Sequence, residues 1–344
     1  MTKQLKIPKL DALTPKSSHK PPLALRTPKS LSTRPESPAL TKENGFGLLA
    51  DDLKLYGDRC PPDYTKQSLL GKGGIACVWL CECELTAKKV AVKQFPKARS
   101  LESAQIELSL QNDLQGCPNI ARLLDTIDSA KDLWLVYEVG SKPLSQLMFS
   151  VKGESYKGER VYIVRHKQVY QLLSKDKSFL RQFVRKMAEV LCFLSARGIV
   201  HADLKGDNIL IEIEGSTLRE LKLIDFGSAF KISASDKQIT AATPEYLPPE
   251  VLVDKNDFEA LQEPWSFDVW SLGICLVELM TGIPIWMSLK CKTSTFTTKS
   301  SIGTGLLGVP GRDPKKILAR LHEFLKSWPP HGLGKYECYG LNKD

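Results

Sequence analysis

His201-Ala202-Asp203-Leu204-Lys205-Gly206-Asp207-Asn208 is followed, after two short apolar runs, by Asp225-Phe226-Gly227. The first stretch sets an acid, a cation and an amide at short fixed offsets behind one histidine. The second puts another acid on a turn that a glycine permits. A general base, a phosphate-facing cation and two oxygen ligands for Mg²⁺ are the parts that phosphoryl transfer asks of a protein. Any one of these residues alone reads as structural. Together, in this order, they do not arise by coincidence.

Upstream, Gly71-Lys72-Gly73-Gly74-Ile75-Ala76-Cys77-Val78 fits the pattern G-x-G-x-x-[G/A]-x-V, with Ala76 in place of the third glycine. Such a loop lets backbone N–H groups approach phosphates without side-chain obstruction. No G-K-[ST] follows at the spacing of a P-loop. Val90-Ala91-Val92-Lys93 ends an apolar strand with a lysine. Buried alone, that ammonium is costly, so it calls for an anion. Its bland alternative is a lysine that snorkels to the surface.

In combination these segments resemble the catalytic core of the eukaryotic protein kinases, serine/threonine type. The H-A-D-L-K-x-D-N wording is similar to that of the splicing, homeodomain-interacting and dual-specificity kinases. The resemblance implies an α+β, bilobal fold: a small antiparallel-sheet lobe with one key helix, then a mainly helical lobe. It implies ATP and Mg²⁺ as cofactors and protein serine and threonine hydroxyls as acceptors. The alternative is a catalytically weak or inactive scaffold that binds nucleotide or a partner.

Residue by residue, the resemblance makes Asp203 the catalytic base that accepts the substrate hydroxyl proton. Lys205 offsets charge on the γ-phosphoryl, and Asn208 and Asp225 hold the metal. Gly71, Lys72, Gly73, Gly74, Ala76, Val78 and Ala91 line the nucleotide. Lys93 holds its α- and β-phosphates and pairs with a helix glutamate, Glu107, with Glu102 in reserve. Gln111, one turn on, takes a place where kinases pack an apolar residue, which implies an imperfectly docked helix. The Glu138 carbonyl and Gly140 N–H meet the adenine edge, and Tyr137 is a bulky gatekeeper. His201 packs against Phe226. Thr243 and Glu250, in Thr243-Pro244-Glu245-Tyr246-Leu247-Pro248-Pro249-Glu250, belong to the substrate and activation segment, with Thr243 bonding Asp203 and Lys205. Asp268, in Asp268-Val269-Trp270-Ser271-Leu272-Gly273, secures the catalytic-loop backbone. Ala202 stands where many kinases carry a phosphate-binding arginine, so activity is expected not to require phosphorylation of the segment from Gly227 to Thr243.

The chain has 344 residues and a net charge of +9. Nine Lys or Arg against three Asp or Glu fall in residues 1–50, so +6 of that charge lies there. With seven prolines among Ser, Thr and Lys, that stretch reads as a disordered tail, residues 1–55. Thr14-Pro15, Thr27-Pro28 and Ser37-Pro38 leave two readings open: a solvated linker, or a regulatory tail phosphorylated by a proline-directed kinase. No base-stacking aromatics are interleaved with its charges, so nucleic acid is not an expected partner. The nine cysteines show no paired C-x-x-C spacing and read as reduced thiols, which favours a cytoplasmic or nuclear location. No run of apolar residues is long enough to span a membrane. Oligomeric state is not legible.

Short β-forming runs at Leu69-Leu70-Gly71, Val78-Trp79-Leu80, Val90-Ala91-Val92 and Leu133-Trp134-Leu135-Val136-Tyr137 bracket a predicted helix at 101–115. Ser178 reads as the cap of a helix whose apolar stripe is Phe179, Phe183, Val184, Met187, Leu191 and Leu194. The expected organisation is a sheet lobe and hinge at 56–140, a helical lobe at 141–328 and a tail at 329–344. A basic insertion at 150–178 reads as a solvated hairpin or loop, or as a substrate-docking element. Residues 291–305 read as an exposed loop. An amphipathic helix is expected from Asp313-Pro314, with Arg312 or Arg320 as candidate partners for Glu250.

Overall fold

The structure is a computed structural model that describes residues 55–57, 59–156, 159–173, 176–233, 243–249, 251, 265–282, 291–293 and 301–303. The tail at 1–50, Glu250, and the helix expected from Asp313 with Arg312 and Arg320 lie outside the described residues.

Three strands, β1 (Tyr64–Lys72), β2 (Cys77–Cys83) and β3 (Lys89–Pro96), lead into the helix α1 (Lys97–Leu114); β4 (Leu123–Asp128) and β5 (Asp132–Glu138) follow. They form a five-stranded antiparallel sheet in the order β1-β2-β3-β5-β4. Alternation on β2 turns Cys77, Trp79 and Cys81 inward, against Val90, Val92, Trp134 and Val136. Behind that cluster a polar network is buried. Gln94 accepts the indole N–H of Trp79 at 2.9 Å and donates to Asp132 at 3.2 Å, and Arg59 closes the chain on Asp132.

α1 starts earlier than the sequence predicts and bends at Ser100, whose φ and ψ are not helical. Ala104, Glu107, Leu110, Gln111 and Leu114 are buried along it, with Leu110 and Leu114 in the core cluster of the helical lobe. The helix packs through Ala104 on Phe95, Leu133 and Leu135. The loose docking implied by Gln111 is not found: its amide bonds Tyr137 on β5 at 3.2 Å.

After β5 come β6 (Lys142–Pro143), α2 (Leu144–Met148), β7 (Phe149–Tyr156), β8 (Glu159–His166), α3 (Gln168–Leu173) and α4 (Ser178–Ser195). The insertion is therefore a paired hairpin ending in a short helix. Ser178 does not cap α4. Its N–H and hydroxyl both bond the Asp176 carboxylate at 2.7 Å, and that acceptor lies just outside the helix. Phe179, Phe183, Met187, Val190 and Leu194 are buried, whereas Val184 is exposed. The buried stripe meets Ile209, Ile211, Leu221, Leu223, Leu272, Cys275 and Leu279 in the largest core cluster. Each such side chain contributes about 1.5–3 kcal/mol of burial.

β9 (Ile199–Val200), β10 (Ile209–Glu214), β11 (Thr217–Leu223), β12 (Phe230–Lys231) and α5 (Ser266–Thr281) complete the helical lobe. A correction falls at 291–305. β13 (Cys291–Thr293) pairs in parallel with β8 and antiparallel with β14 (Ser301–Gly303), so part of the expected loop is sheet. Among the described residues, no helix is long and apolar enough to cross a membrane.

Candidate active site

β9 and β12 pair through Val200 and Phe230, which sets the two motifs they flank side by side. His201 follows β9, and Asp225-Phe226-Gly227 precedes β12. The His201 ring meets the Phe226 ring edge-on at 4.8 Å, and its Nε2 lies 3.0 Å from the Ile224 carbonyl. Asp203 N–H bonds Nδ1 at 3.3 Å. Nδ1 is thereby an acceptor and Nε2 the donor to Ile224, so this histidine is spent on holding the loop.

Ala202 and Asp225 both adopt left-handed backbone, with φ of 63° and 67°. Non-glycine residues reach this region at a cost, so the surroundings must hold it. Asp268, buried on α5, does so for the first by accepting the backbone N–H of His201 and Ala202 at 2.7 and 3.0 Å. Burial raises the Asp268 carboxyl above its usual value, and those two donors only partly counter it. Close approach explains Gly206: a Cβ there would lie 3.2 Å from Met148 and 3.3 Å from the Ser145 backbone on α2.

Asp203 is the centre of one cluster. Its Oδ1 accepts the Thr243 backbone N–H at 3.0 Å and the Thr243 hydroxyl at 2.6 Å. Its Oδ2 accepts Lys205 at 2.7 Å and the Asn208 amide at 3.2 Å. Lys205 also donates to the Thr243 oxygen at 2.7 Å, and Asn208 to the Asp203 carbonyl at 2.8 Å.

A second cluster joins the lobes. Lys93 on β3 donates to Glu107 on α1 at 2.6 Å and to Asp225 at 2.8 Å. Glu107 is thus the partner rather than Glu102, which is exposed. Burial would lower the Lys93 ammonium, but Asp225 and Glu107 outweigh it and the group is held protonated. Burial would likewise raise the Asp225 carboxyl; the Lys93 ammonium beside it wins and holds it down at about 2. Glu107 has only 1% of its surface exposed. Burial leaves its carboxyl above the ordinary value even with Lys93 in contact.

The Gly71–Val78 segment carries the turn from β1 to β2, closed by a bond from the Gly73 N–H to the Ala76 carbonyl at 2.9 Å. Glu138, at the end of β5, accepts Lys222 at 2.7 Å and the Arg122 N–H at 3.0 Å, which anchors the connection between lobes. Gly140 presses on Leu210: a Cβ would fall 2.4 Å from its Cδ1. Leu210 is a site residue that the sequence reading missed, along with the bond between Tyr137 and Glu107 at 2.6 Å. The first is one more aliphatic residue in a strand, and the second depends on how α1 docks.

A family model for the protein kinase domain matches residues 64–304. The match extends beyond 68–282, the span over which the sequence motifs carry the resemblance. The chain is 26% identical over 261 residues to an Aurora kinase of Schizosaccharomyces pombe, covering 73% of this chain and 64% of that protein. It is 30% identical over 231 residues to dual specificity tyrosine-phosphorylation-regulated kinase 2 of Drosophila melanogaster, covering 65% of this chain and 28% of the relative. Serine/threonine-protein kinase Aurora-2 of Arabidopsis thaliana is 29% identical over 231 residues, covering 64% of this chain and 69% of the relative. The chain thus spans less than two thirds of the first two.

Proposed function

This chain belongs to the protein kinase family, and we propose that it transfers the γ-phosphate of ATP to serine and threonine hydroxyls of proteins. The observation that carries the reading is the Asp203 carboxylate, which accepts a threonine hydroxyl at 2.6 Å while Lys205 stands 2.7 Å from the same acid. A substrate hydroxyl brought to Asp203 would meet the same base and the same cation. Positioned general bases contribute roughly 10²–10⁴-fold.

ATP and Mg²⁺ are the cofactors that the family uses in general. The donor set fits the metal, because Mg²⁺ takes hard oxygen ligands and few of them from protein. Asp225 offers carboxylate oxygens. Asn208 donates its amide N–H to Asp203 and so keeps its carbonyl oxygen for a ligand. When bound, the metal would supply charge neutralisation between the phosphates. Lys93, fixed by Glu107, would grip the α- and β-phosphates, and Lys205 would meet charge developing on the transferred group. The Glu138 carbonyl and Gly140 N–H would take the adenine edge, above Leu210. Gly71, Lys72, Gly73, Gly74, Ala76, Val78 and Ala91 would line the rest of the nucleotide.

The test compares wild type with Asp203→Asn in Mg²⁺ and labelled ATP on a degenerate peptide array. Transfer to serine or threonine peptides by wild type alone is the expected result. Equal background from both would sink the assignment and leave a scaffold.

A further inference from the structure

Tyr137 stands on β5 with its ring toward α1, and its hydroxyl donates to Glu107 Oε1 at 2.6 Å. The other oxygen of that carboxylate accepts Lys93 at 2.6 Å. Gln111, one turn along α1, donates to the Tyr137 oxygen at 3.2 Å and to the Glu107 carbonyl at 3.4 Å. A continuous chain of donors therefore runs Gln111 to Tyr137 to Glu107, and Lys93 bridges Glu107 to Asp225.

Each link has a physical reason. A carboxylate that is 1% exposed cannot leave an oxygen unmet without a desolvation cost, and hydrogen bonds to a charge are the stronger kind. Lys93 satisfies one oxygen only. The phenol satisfies the other, and burial together with the adjacent Glu107 charge keeps it protonated, hence a donor. A phenol facing an apolar helix would be free to turn toward either side; Gln111 fixes its direction. Gln111 and Tyr137 thus support each other: an apolar residue at 111 would remove the donor to the phenol oxygen, and one at 137 would leave the Gln111 amide only its 3.4 Å bond to the Glu107 carbonyl.

We propose that Tyr137 is a positioning residue for phosphoryl transfer: its hydroxyl, aimed by Gln111, holds the Glu107 carboxylate against Lys93. This rests on the kinase reading above and assigns the ring a task beyond filling space behind adenine. The docking of α1 is then set by side chains already present in the chain, with no added group required.

The experiment is a cycle of wild type, Tyr137→Phe, Glu107→Gln and the double variant, with Gln111→Met alongside. Phenylalanine keeps the ring, so pocket size does not change. The expected result is a fall in kcat of about tenfold or more for Tyr137→Phe. KM for ATP should change by less than about threefold, because the adenine contacts are untouched. In the Glu107→Gln background the same substitution should cost less than about twofold, since the group it acts through is gone. Gln111→Met should follow Tyr137→Phe in direction. Hydrogen exchange of the amides around Glu107 is measured on the same proteins and needs no turnover. It should rise in Tyr137→Phe and not rise further in the double variant. Unchanged kcat, or equal losses in both backgrounds, would overturn the proposal. Were wild type to transfer no phosphate, the kinase reading would fall by itself, and the exchange cycle would still decide whether Tyr137 acts through Glu107.

Discussion

Asp268, on α5, fixes the backbone of Ala202 by accepting its N–H at 3.0 Å while accepting that of His201 at 2.7 Å. The carboxylate is 3% exposed and Ala202 is 1% exposed. Two oxygens meet two donors on a turn whose φ of 63° is unfavourable for alanine. Asp268→Asn keeps one acceptor and turns an N–H toward the other donor. Leaving one buried N–H unmet costs about 1–3 kcal/mol. We therefore expect a lower melting temperature and slower single-turnover transfer in that variant. A melting curve superimposable on wild type would refute the assignment of Asp268 as the clamp.

Ala202 has a second consequence. Its side chain is a buried methyl in a place where an arginine would bind a phosphorylated loop. Lys205 and Thr243 instead hold Asp203 directly. Protein stripped by a phosphatase should keep at least about half of its turnover, since no charge at position 202 has to be relieved. Loss of most activity on dephosphorylation, regained on rephosphorylation, would contradict this.

The catalytic loop, the Asp225 turn, the Lys93 strand and the Asp268 helix were legible because each is a short local segment whose residue types the chemistry dictates. Glu107 was legible through the resemblance, which asks a helix glutamate as the partner of Lys93. What escaped detection depends on contacts between distant segments. β13 opens a Ser/Thr/Gly-rich stretch and is a strand through its pairing with β8 and β14. Ser178 has the composition of a cap, yet Asp176 two residues earlier is the acceptor. Gln111 reads as a packing fault until Tyr137 is placed across from it.

Gly140 and Leu210 give a test at the nucleotide end. A methyl at position 140 would lie 2.4 Å from Leu210 Cδ1 and 3.4 Å from its Cβ, so Leu210 must turn away. Overpacking of this kind costs about 1–3 kcal/mol. Gly140→Ala should raise KM for ATP several-fold. Adding Leu210→Ala should recover part of that loss, as expected for neighbours that couple. Strictly additive effects in the double variant would show that the two do not share the strain.

The buried network behind β3 separates stability from chemistry. Gln94 is fully buried, next in sequence to Lys93, and its amide serves Trp79, the Tyr56 carbonyl and Asp132. Gln94→Met keeps the length of the side chain and removes both the acceptor and the donor. The Trp79 indole N–H then loses its acceptor, for about 1–3 kcal/mol. At roughly 2–4 °C per kcal/mol for a domain of this size, melting should fall by several degrees. The register of β3 with β2 and β5 is backbone-made, so Lys93 keeps its place and kcat should stay within about twofold of wild type. Lys93→Met, in contrast, should abolish transfer while leaving Gln94 and its partners intact. Differential scanning calorimetry paired with peptide phosphorylation separates the two outcomes; a Gln94→Met protein that melts normally would show that the network contributes nothing net.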